Sequence, residues 1–325
     1  FKGKIMKVDS VKYGIVKQLA DGEFHSGEAL GEQFGVSRAA ISKHIKSIQE
    51  LGLDVFSVQR KGYRLPRPLS LLDEEKLASS SGRMLKVFPI INSTNQFLLD
   101  CAVELNRGDV CLAEYQSQGR GRRGREWVSP FGSNLYLSMY WRLDAGIAAA
   151  MGLSLVVGVA VVEAFESLGI QGVKLKWPND LYYEDKKLAG ILVEMSGQAG
   201  AAAHLVIGMG LNIAMPDKTE NITQPWTSLE QILPNENIDR NTLTLAIINA
   251  WERSLESYEL YGMEGFVERW NRLDNYLGRP IKLILGPKEL YGIARGIDAQ
   301  GGILIETDKG IETYIGGEIS LRGIE

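Results

Sequence analysis

Ser117-Gln-Gly-Arg-Gly-Arg-Arg-Gly-Arg-Glu-Trp127 decides how the rest of this 325-residue chain is read. Four arginines interleaved with three glycines have nothing to give an apolar core, and alone they would form a solvated loop. Their setting is different. Asp109 to Tyr115 before them is strand-like, and after them Leu135, Leu137, Met139, Trp141 and Leu143 alternate with Tyr136, Ser138, Tyr140 and Arg142. A flexible cationic loop held between two strands suits an anionic ligand that is covered after it binds. The run also contains Gly119-x-Gly121-x-x-Gly124, which matches the dinucleotide fingerprint letter for letter. A Rossmann loop enters a helix directly, whereas here Arg125-Glu-Trp-Val-Ser-Pro130 leads to another strand. That excludes a dinucleotide fold. No Gly-x-x-x-x-Gly-Lys-Ser/Thr loop occurs elsewhere, so guanidinium groups must carry much of any phosphate contact.

Outward from this loop, residues 74–275 alternate strands and helices, as in an α/β domain with a mixed sheet. Leu85 to Phe88 reads as a short strand, after which Ser93-Thr94-Asn95 opens a helix carrying Phe97, Leu98 and Cys101. These three polar residues are helix caps or, at a helix start, ligand contacts. In Val173-Lys-Leu-Lys-Trp-Pro-Asn-Asp180 the residues Val173, Leu175 and Trp177 form a buried strand face, Lys174 and Lys176 the other face, and Pro178 ends the ladder beside Asn179 and Asp180. After a turn over Tyr182 to Lys186, Lys187-Leu-Ala-Gly-Ile-Leu-Val-Glu194 begins another strand, with Lys187 either reaching a ligand on the sheet or solvated in a hairpin. Val206-Ile-Gly-Met-Gly-Leu-Asn212 gives close backbone access beside one polar side chain. Only His204 lies in this domain, so nucleophilic triads are excluded, and nothing has metal-ligand spacing. What remains is arginine, lysine, amide and backbone around an anion.

The front of the chain, 6–65, reads as three helices and a hairpin. Val11, Ile15, Val16 and Leu19 recur at helical spacing, Ser26 caps a helix through Leu30 and Phe34, and Ser37 caps one carrying Ile41, Ile45 and Ile48. The Phe34-Gly35-Val36 link makes this pair a helix-turn-helix, with Ser37, Arg38, Ser42, Lys43 and Lys46 off the isoleucine face and available to DNA. Leu53 to Val58 and Tyr63 to Leu65, joined through Arg60 and Lys61, supply a basic wing. Two prolines, Pro66 and Pro68, open a semi-rigid linker over 66–73. At the other end, helices over Asp239 to Tyr261 and through Trp270 and Leu273 precede short strands at Pro280 to Leu285, Glu289 to Ile297, Ile303 to Glu306 and Glu312 to Leu321, the pattern of a small barrel over 276–325.

Charge divides along these lines. Residues 1–65 hold 11 Lys/Arg against 7 Asp/Glu, and the remainder 25 against 33, within a net charge of −4. Two cysteines, Cys101 and Cys111, point to a reducing, cytoplasmic setting with free thiols. Ala145 to Val162 is a run of 18 uncharged residues, but three glycines dilute it and its pattern continues past Glu163, so it is expected as a core helix with Glu163 and Glu166 on the wet side, with no membrane role.

Taken together, Gly119 to Arg125 with Trp127, Lys176-Trp-Pro-Asn-Asp180 and Lys187 to Glu194 closely resemble the biotin protein ligases over essentially residues 8–322. The winged helix in front is similar to that of the bifunctional type, which is also the biotin operon repressor. The resemblance implies an N-terminal winged helix-turn-helix, a central biotin/lipoate ligase-like domain and a C-terminal SH3-like β-barrel. It implies a Mg2+-dependent, AMP-forming reaction in which biotin and ATP give biotinyl-5′-AMP, with the metal carried by the phosphates. The biotinyl group then passes to a lysine of the biotin carboxyl carrier protein of acetyl-CoA carboxylase, and the adenylate acts as corepressor on operator DNA through a homodimer. Residue by residue, it implies biotin contacts at Ser93, Thr94, Asn95, Gln116, Gly119, Arg120, Arg122 and Lys187. It implies adenylate contacts at Arg122, Arg125, Trp127, Lys176, Asn179, Asp180 and Asn212, with Lys187, Arg120 and Arg122 as the catalytic cations. Glu126 within the cationic run is expected to pair with a neighbouring arginine. Two other readings remain at this point: a ligand-sensing repressor without ligase activity, and a ligase for lipoate.

Overall fold

Helix caps organise the front of the chain. In this computed structural model, which describes residues 9–78, 82–146, 150, 152–196, 201–216, 219, 221–315 and 319–323, α1 spans Ser10–Leu19, α2 Gly27–Phe34 and α3 Arg38–Glu50. Residues 6–8 of the front domain, and residues 147–149 and 151 of the expected helix, lie outside the described residues. The Asp9 carboxylate accepts from the amides of Val11 and Lys12, the Ser26 hydroxyl from Ala29 and the Ser37 hydroxyl from Ala40. Gly35 ends α2 at φ 66°, a left-handed position that makes the tight link into α3. Ile15, Val16, Leu19, Leu30, Ile41, Ile45 and Ile48 are all buried. β1 (Phe56–Val58) and β2 (Gly62–Arg64) pair antiparallel as the wing, shorter than the sequence pattern because Leu53 and Val55 turn inward to the same core.

The chain divides into two units, one of Phe1–Met139, Gly208–Thr223 and Ser228–Thr244, the other of Tyr140–Ile207, Gln224–Thr227 and Leu245–Glu325. Beyond the winged helix, the first unit contains α4 (Glu74–Ala78), β3 (Leu85–Ile91), α5 (Thr94–Asp100), β4 (Val110–Gln116), the beginning of β5 (Leu135–Leu143), the end of β9 (Ala203–Leu211), α7 (Leu229–Ile232) and the first residues of α8 (Arg240–Tyr261). Its strand order is β3-β4-β5-β9. β3 and β4 are parallel with α5 between them in sequence, and β4 and β5 are antiparallel with Leu112 opposite Leu137. β5 departs from the expected half-buried strand: Tyr136, Ser138 and Tyr140 are as buried as their apolar neighbours, because both faces of the strand are covered, and only Arg142 is exposed.

A buried ion pair crosses this unit. Arg240, the first residue of α8, donates from both terminal nitrogens to Glu114 Oε2 at 2.8 Å, and also to the carbonyls of Ser70 (2.9 Å) and Asn134 (2.7 Å). Glu114 Oε1 accepts from the amide of Leu72 at 2.7 Å. One pair thus secures the linker, β4 and the approach to β5.

In the second unit, α6 (Leu153–Ser167), β6 (Lys174–Lys176), β7 (Asp180–Tyr183), β8 (Lys186–Ser196) and α9 (Glu264–Leu273) join the remaining parts of β5, β9 and α8, with strand order β5-β9-β8-β7-β6. The turn expected over Tyr182 to Lys186 is shorter: Tyr182 and Tyr183 belong to β7 and Lys186 begins β8. The turn is only Glu184-Asp185, at φ 48° and 62°, and its sequence lacks the usual Asn-Gly or Asp-Gly signal. α6 begins at Leu153, later than the uncharged run; Glu163 and Glu166 pair with Arg269 (2.6 Å) and Arg272 (3.4 Å) of α9. Among the described residues no helix is long and apolar enough to cross a membrane. The C-terminal strands β10 (Pro280–Leu285), β11 (Lys288–Ile297), β12 (Ile303–Thr307), β13 (Gly310–Tyr314) and β14 (Ile319–Gly323) form an antiparallel sheet in the order β13-β12-β11-β10-β14. The single strand expected over Glu312 to Leu321 is two, and residues 316–318 between them lie outside the described residues.

Between α9 and β10, Asp274 is buried. Its Oδ1 accepts from the Tyr276 amide at 2.9 Å, and its Oδ2 has no hydrogen-bond partner among the described residues. Burial pushes this carboxyl up to about 6. The folded chain therefore keeps a proton that the unfolded chain has released, and stability falls as pH rises from the ordinary carboxylate range through about 6. We expect Asp274→Asn to be stabilised relative to the parent more at pH 8 than at pH 4, the difference growing by about 1–3 kcal/mol in urea unfolding. A difference that does not change with pH would refute this.

Candidate functional site

Two sets of residues hold the chemistry, one in each unit. In the first, Ser93 caps α5 by accepting from the Gln96 amide (3.3 Å), so that Thr94 and Asn95 begin the helix with their side chains buried. The Thr94 hydroxyl lies 3.2 Å from Gln116 Oε1 and 2.7 Å from the Ser138 hydroxyl, and Ser138 donates to Asn95 Oδ1 at 2.5 Å. Gln116 also accepts from the Thr94 amide (3.0 Å) and donates to Ser129 Oγ (3.2 Å), which itself donates to the carbonyl of Trp127 (2.9 Å). The result is a buried polar chain whose donors and acceptors can re-partner with the polar head of a ligand. Two glycines of β9 make room for it. A Cβ on Gly208 would lie 2.1 Å from Asn95 Oδ1, and one on Gly210 would lie 2.2 Å from Trp127 Nε1.

The arginine run is a closed hairpin rather than an open loop. Gly121 donates to the carbonyl of Arg125 (2.7 Å), Trp127 donates to that of Gly119 (2.9 Å), and Arg122–Gly124 makes a 3-10 turn with Arg123 at φ 58°. Glu126 stands opposite Arg120 in this ladder through the backbone. Arg120 donates to Gln96 Oε1 at 3.1 Å; Arg122 is half-buried, and Arg123 and Arg125 are exposed. A Cβ on Gly119 would meet Ser129 Oγ at 2.5 Å, which explains glycine at the mouth of the hairpin. Asn212, at the end of β9, is buried and accepts at its carbonyl from the Leu229 amide (3.1 Å).

In the second unit Lys187 and Asp180 form an ion pair at 3.1 Å, both mostly buried. The Lys187 backbone is fixed on each side, its amide donating to Pro225 O (3.0 Å) and its carbonyl accepting from Thr227 (2.9 Å). This lysine is therefore not a solvated hairpin residue. Lys176 donates to the Tyr182 hydroxyl (3.0 Å), and Asn179 donates from its side chain to Ile191 O (2.7 Å), which fixes the turn into β7.

On the winged helix, Arg38, Lys43, Lys46, Arg60 and Lys61 are exposed and Ser42 is half-exposed. The Ser37 hydroxyl is engaged as a helix cap. Sequence reasoning missed Ser129 and Ser138. Alternation put Ser138 on a solvent face, and nothing local marks Ser129.

Profiles of known families cover the chain in three pieces: an HTH domain over residues 12–64, the Biotin/lipoate A/B protein ligase family over 87–212, and a biotin protein ligase C-terminal domain over 276–322. The chain is 52% identical over 322 residues to the bifunctional ligase/repressor BirA of Escherichia coli (strain K12), covering 98% of this chain and 100% of that one. The chain belongs to the biotin protein ligase family. It is 32% identical to the bifunctional ligase/repressor BirA of Bacillus subtilis (strain 168) over 93% of this chain and 95% of that one. The biotin protein ligase of Aquifex aeolicus, solved in complex with biotin and ATP, superposes with a TM-score of 0.67 at 31% identity over 74% of this chain and 99% of that one. The buried polar chain and cationic hairpin described above thus lie within the residues that match the family.

Because a Cβ on Gly208 would run into Asn95, this polar cluster is built with no spare volume. Gly208→Ala should cost about 1–3 kcal/mol in urea unfolding through overpacking; a cost under about 0.5 kcal/mol would mean that Asn95 moves aside freely.

Proposed function

We propose that this protein is an ATP-dependent ligase that forms biotinyl-5′-AMP and transfers the biotinyl group to a lysine of the biotin carboxyl carrier protein, and that it also represses the biotin operon with that adenylate as corepressor. The observation that carries the reading is the buried Ser93-Thr94-Asn95 helix start joined through Gln116 and Ser138, next in sequence to a structured arginine hairpin. Such a start suits the polar ring of biotin, and the hairpin suits its carboxylate.

When a carboxylate attacks an α-phosphate, two anions meet, and catalysis consists largely of offsetting their repulsion. We assign that work to Lys187, Arg120 and Arg122. Asp180, 3.1 Å away, fixes the direction in which the Lys187 ammonium points. Gly119 leaves backbone room, Trp127 covers the adenine side, and Arg125, Lys176, Asn179, Asp180 and Asn212 complete the adenylate contacts. Mg2+ supplies charge neutralisation on the phosphates of ATP. Among the described residues no group of three or more His, Cys, Asp or Glu is placed to hold a metal. No protein nucleophile is required. A mixed anhydride hydrolyses in water, so a hairpin that folds over it also excludes solvent.

The winged helix, in this reading 6–65, would read the operator through Arg38, Ser42, Lys43 and Lys46 of α3 and Arg60 and Lys61 of the wing, with Ser37 capping the reading helix. A linker over 66–73 leads to the ligase domain over 74–275. The C-terminal sheet, 276–325, is read as an SH3-like barrel that supports the ligase and the docking of the acceptor. The adenylate-bound form is read as a homodimer in the cytoplasm.

The direct test is mass spectrometry of a carrier domain incubated with the protein, ATP and either biotin or lipoate. Addition of one biotinyl group is expected; a lipoyl adduct, or no adduct, would overturn the assignment. With Lys187→Ala, single-turnover pyrophosphate release should slow by about 10²–10³ while free biotin still binds. An unchanged rate would remove the role given to Lys187. For the repressor, biotin plus ATP should tighten binding to a palindromic operator by about 5–150-fold in gel shifts, and equal midpoints with and without ligand would rule out corepression.

A further inference from the structure

Phe131 belongs by sequence to the segment that leaves the arginine hairpin, and by packing to the winged helix. Its side chain is 1% exposed within the cluster that contains Ile15, Leu19, Ile41 and Ile45, and its ring meets Tyr13 edge-on at 6.4 Å. Its amide donates to the carbonyl of Leu51, the C-cap of α3, at 2.8 Å. Pro130 before it lies against Gly52, where a Cβ would come within 2.7 Å of the Pro130 ring. The Tyr136 hydroxyl donates to the Pro130 carbonyl at 2.8 Å, and Gly132 donates to Glu114 O at 2.9 Å. At the other end of the same short segment, Ser129 is tied to Gln116 and to the Trp127 carbonyl, and the Trp127 indole lies on Gly210.

From Trp127 to Phe131, therefore, a stretch containing a proline with fixed φ is anchored at both ends, one in the polar chain of the first unit and the other in the core of the DNA-binding module. Close-packed interiors pass on a displacement rather than absorb it. We propose that Phe131 is a positioning residue for the ligase: its seat in the winged-helix core sets where Ser129 and Trp127 stand against Gln116 and Gly210. Phe131 touches no substrate and acts through these two residues. The kinetic consequence rests on the proposed ligase function, but the structural consequence does not.

The test uses the full-length chain, first without ligand. The amides of Gly121 and Trp127 are hydrogen-bonded inside the hairpin and report on its order. In hydrogen–deuterium exchange, Phe131→Val should speed exchange over residues 119–129 by about tenfold, and Phe131→Leu should restore most of the protection, with peptides of the C-terminal sheet unchanged as the folding control. With ATP, biotin and carrier domain, Phe131→Val should raise KM for biotin and ATP about three- to tenfold with kcat within about twofold, since binding geometry is lost and the reacting charges are not. Where Phe131→Val fails the folding control, Tyr136→Phe decides the matter by releasing the Pro130 carbonyl without opening the winged-helix core, and it too should speed exchange at 127–129. Unchanged exchange over 119–129 in the folded variants, with faster exchange confined to the winged helix, would overturn the proposal. A parent chain that does not biotinylate the carrier would instead overturn the functional reading and leave the exchange result to decide this one.

Discussion

A carboxylate with no exposed surface needs a full set of hydrogen-bond partners in place of water, and Glu114 finds its set where three parts of the chain meet. Its side chain takes both terminal nitrogens of Arg240 and the Leu72 amide, and Arg240 adds the carbonyls of Ser70 and Asn134. Buried pairs of this kind contribute little net stability compared with an apolar filling, but they are intolerant of alternatives. The linker, β4, the residue before β5 and the start of α8 can satisfy the pair in a single arrangement. Side chains two apart on a strand share a face, so the constraint that fixes Glu114 also fixes Gln116, the residue to which Thr94 and Ser129 are attached.

The cationic groups are ordered by different means. Arginines in a glycine-rich run repel one another and lose much conformational entropy on ordering. Here the backbone offsets this by closing a small ladder from Gly119 to Trp127, and Arg120 adds a bond to Gln96. Lys187 is held by a carboxylate at 3.1 Å and by backbone bonds on both sides. Fixed cations need not reorganise when negative charge develops beside them.

Much of this was legible in the sequence because local rules were enough. Ser26 and Ser37 sit where helix caps should, the isoleucines of α3 recur at helical spacing, and Ser93-Thr94-Asn95 announces a helix start. Lys187 and the arginine run stood out as charge inside strand-rich sequence. What escaped notice depended on distant partners. Ser138 alternates with apolar residues as a solvent-facing residue would, and only the cover over both faces of β5 makes it internal. Glu114 reads as a strand's polar position until a residue 126 places later reaches it. β7 was hidden by a two-residue turn of Glu184 and Asp185, which takes positive φ without the glycine that usually marks such a turn. Glu126, puzzling among arginines, has a place in the ladder through its backbone opposite Arg120.

The packing of Phe131 changes what counts as a module in this chain. Judged by sequence, the DNA-binding part ends at the prolines 66 and 68, a natural junction for exchange between genes. Judged by its core, it ends only when Ile90 of β3 and a phenylalanine from beyond the arginine hairpin have been included. A winged helix grafted onto an unrelated partner at that junction would lack the cover of Ile90 and Phe131, and the ligase left behind would present both side chains to water. Recombination could keep both halves intact only by carrying the two segments together, so this pairing of reader and enzyme is better regarded as one inherited object than as two joined by a hinge.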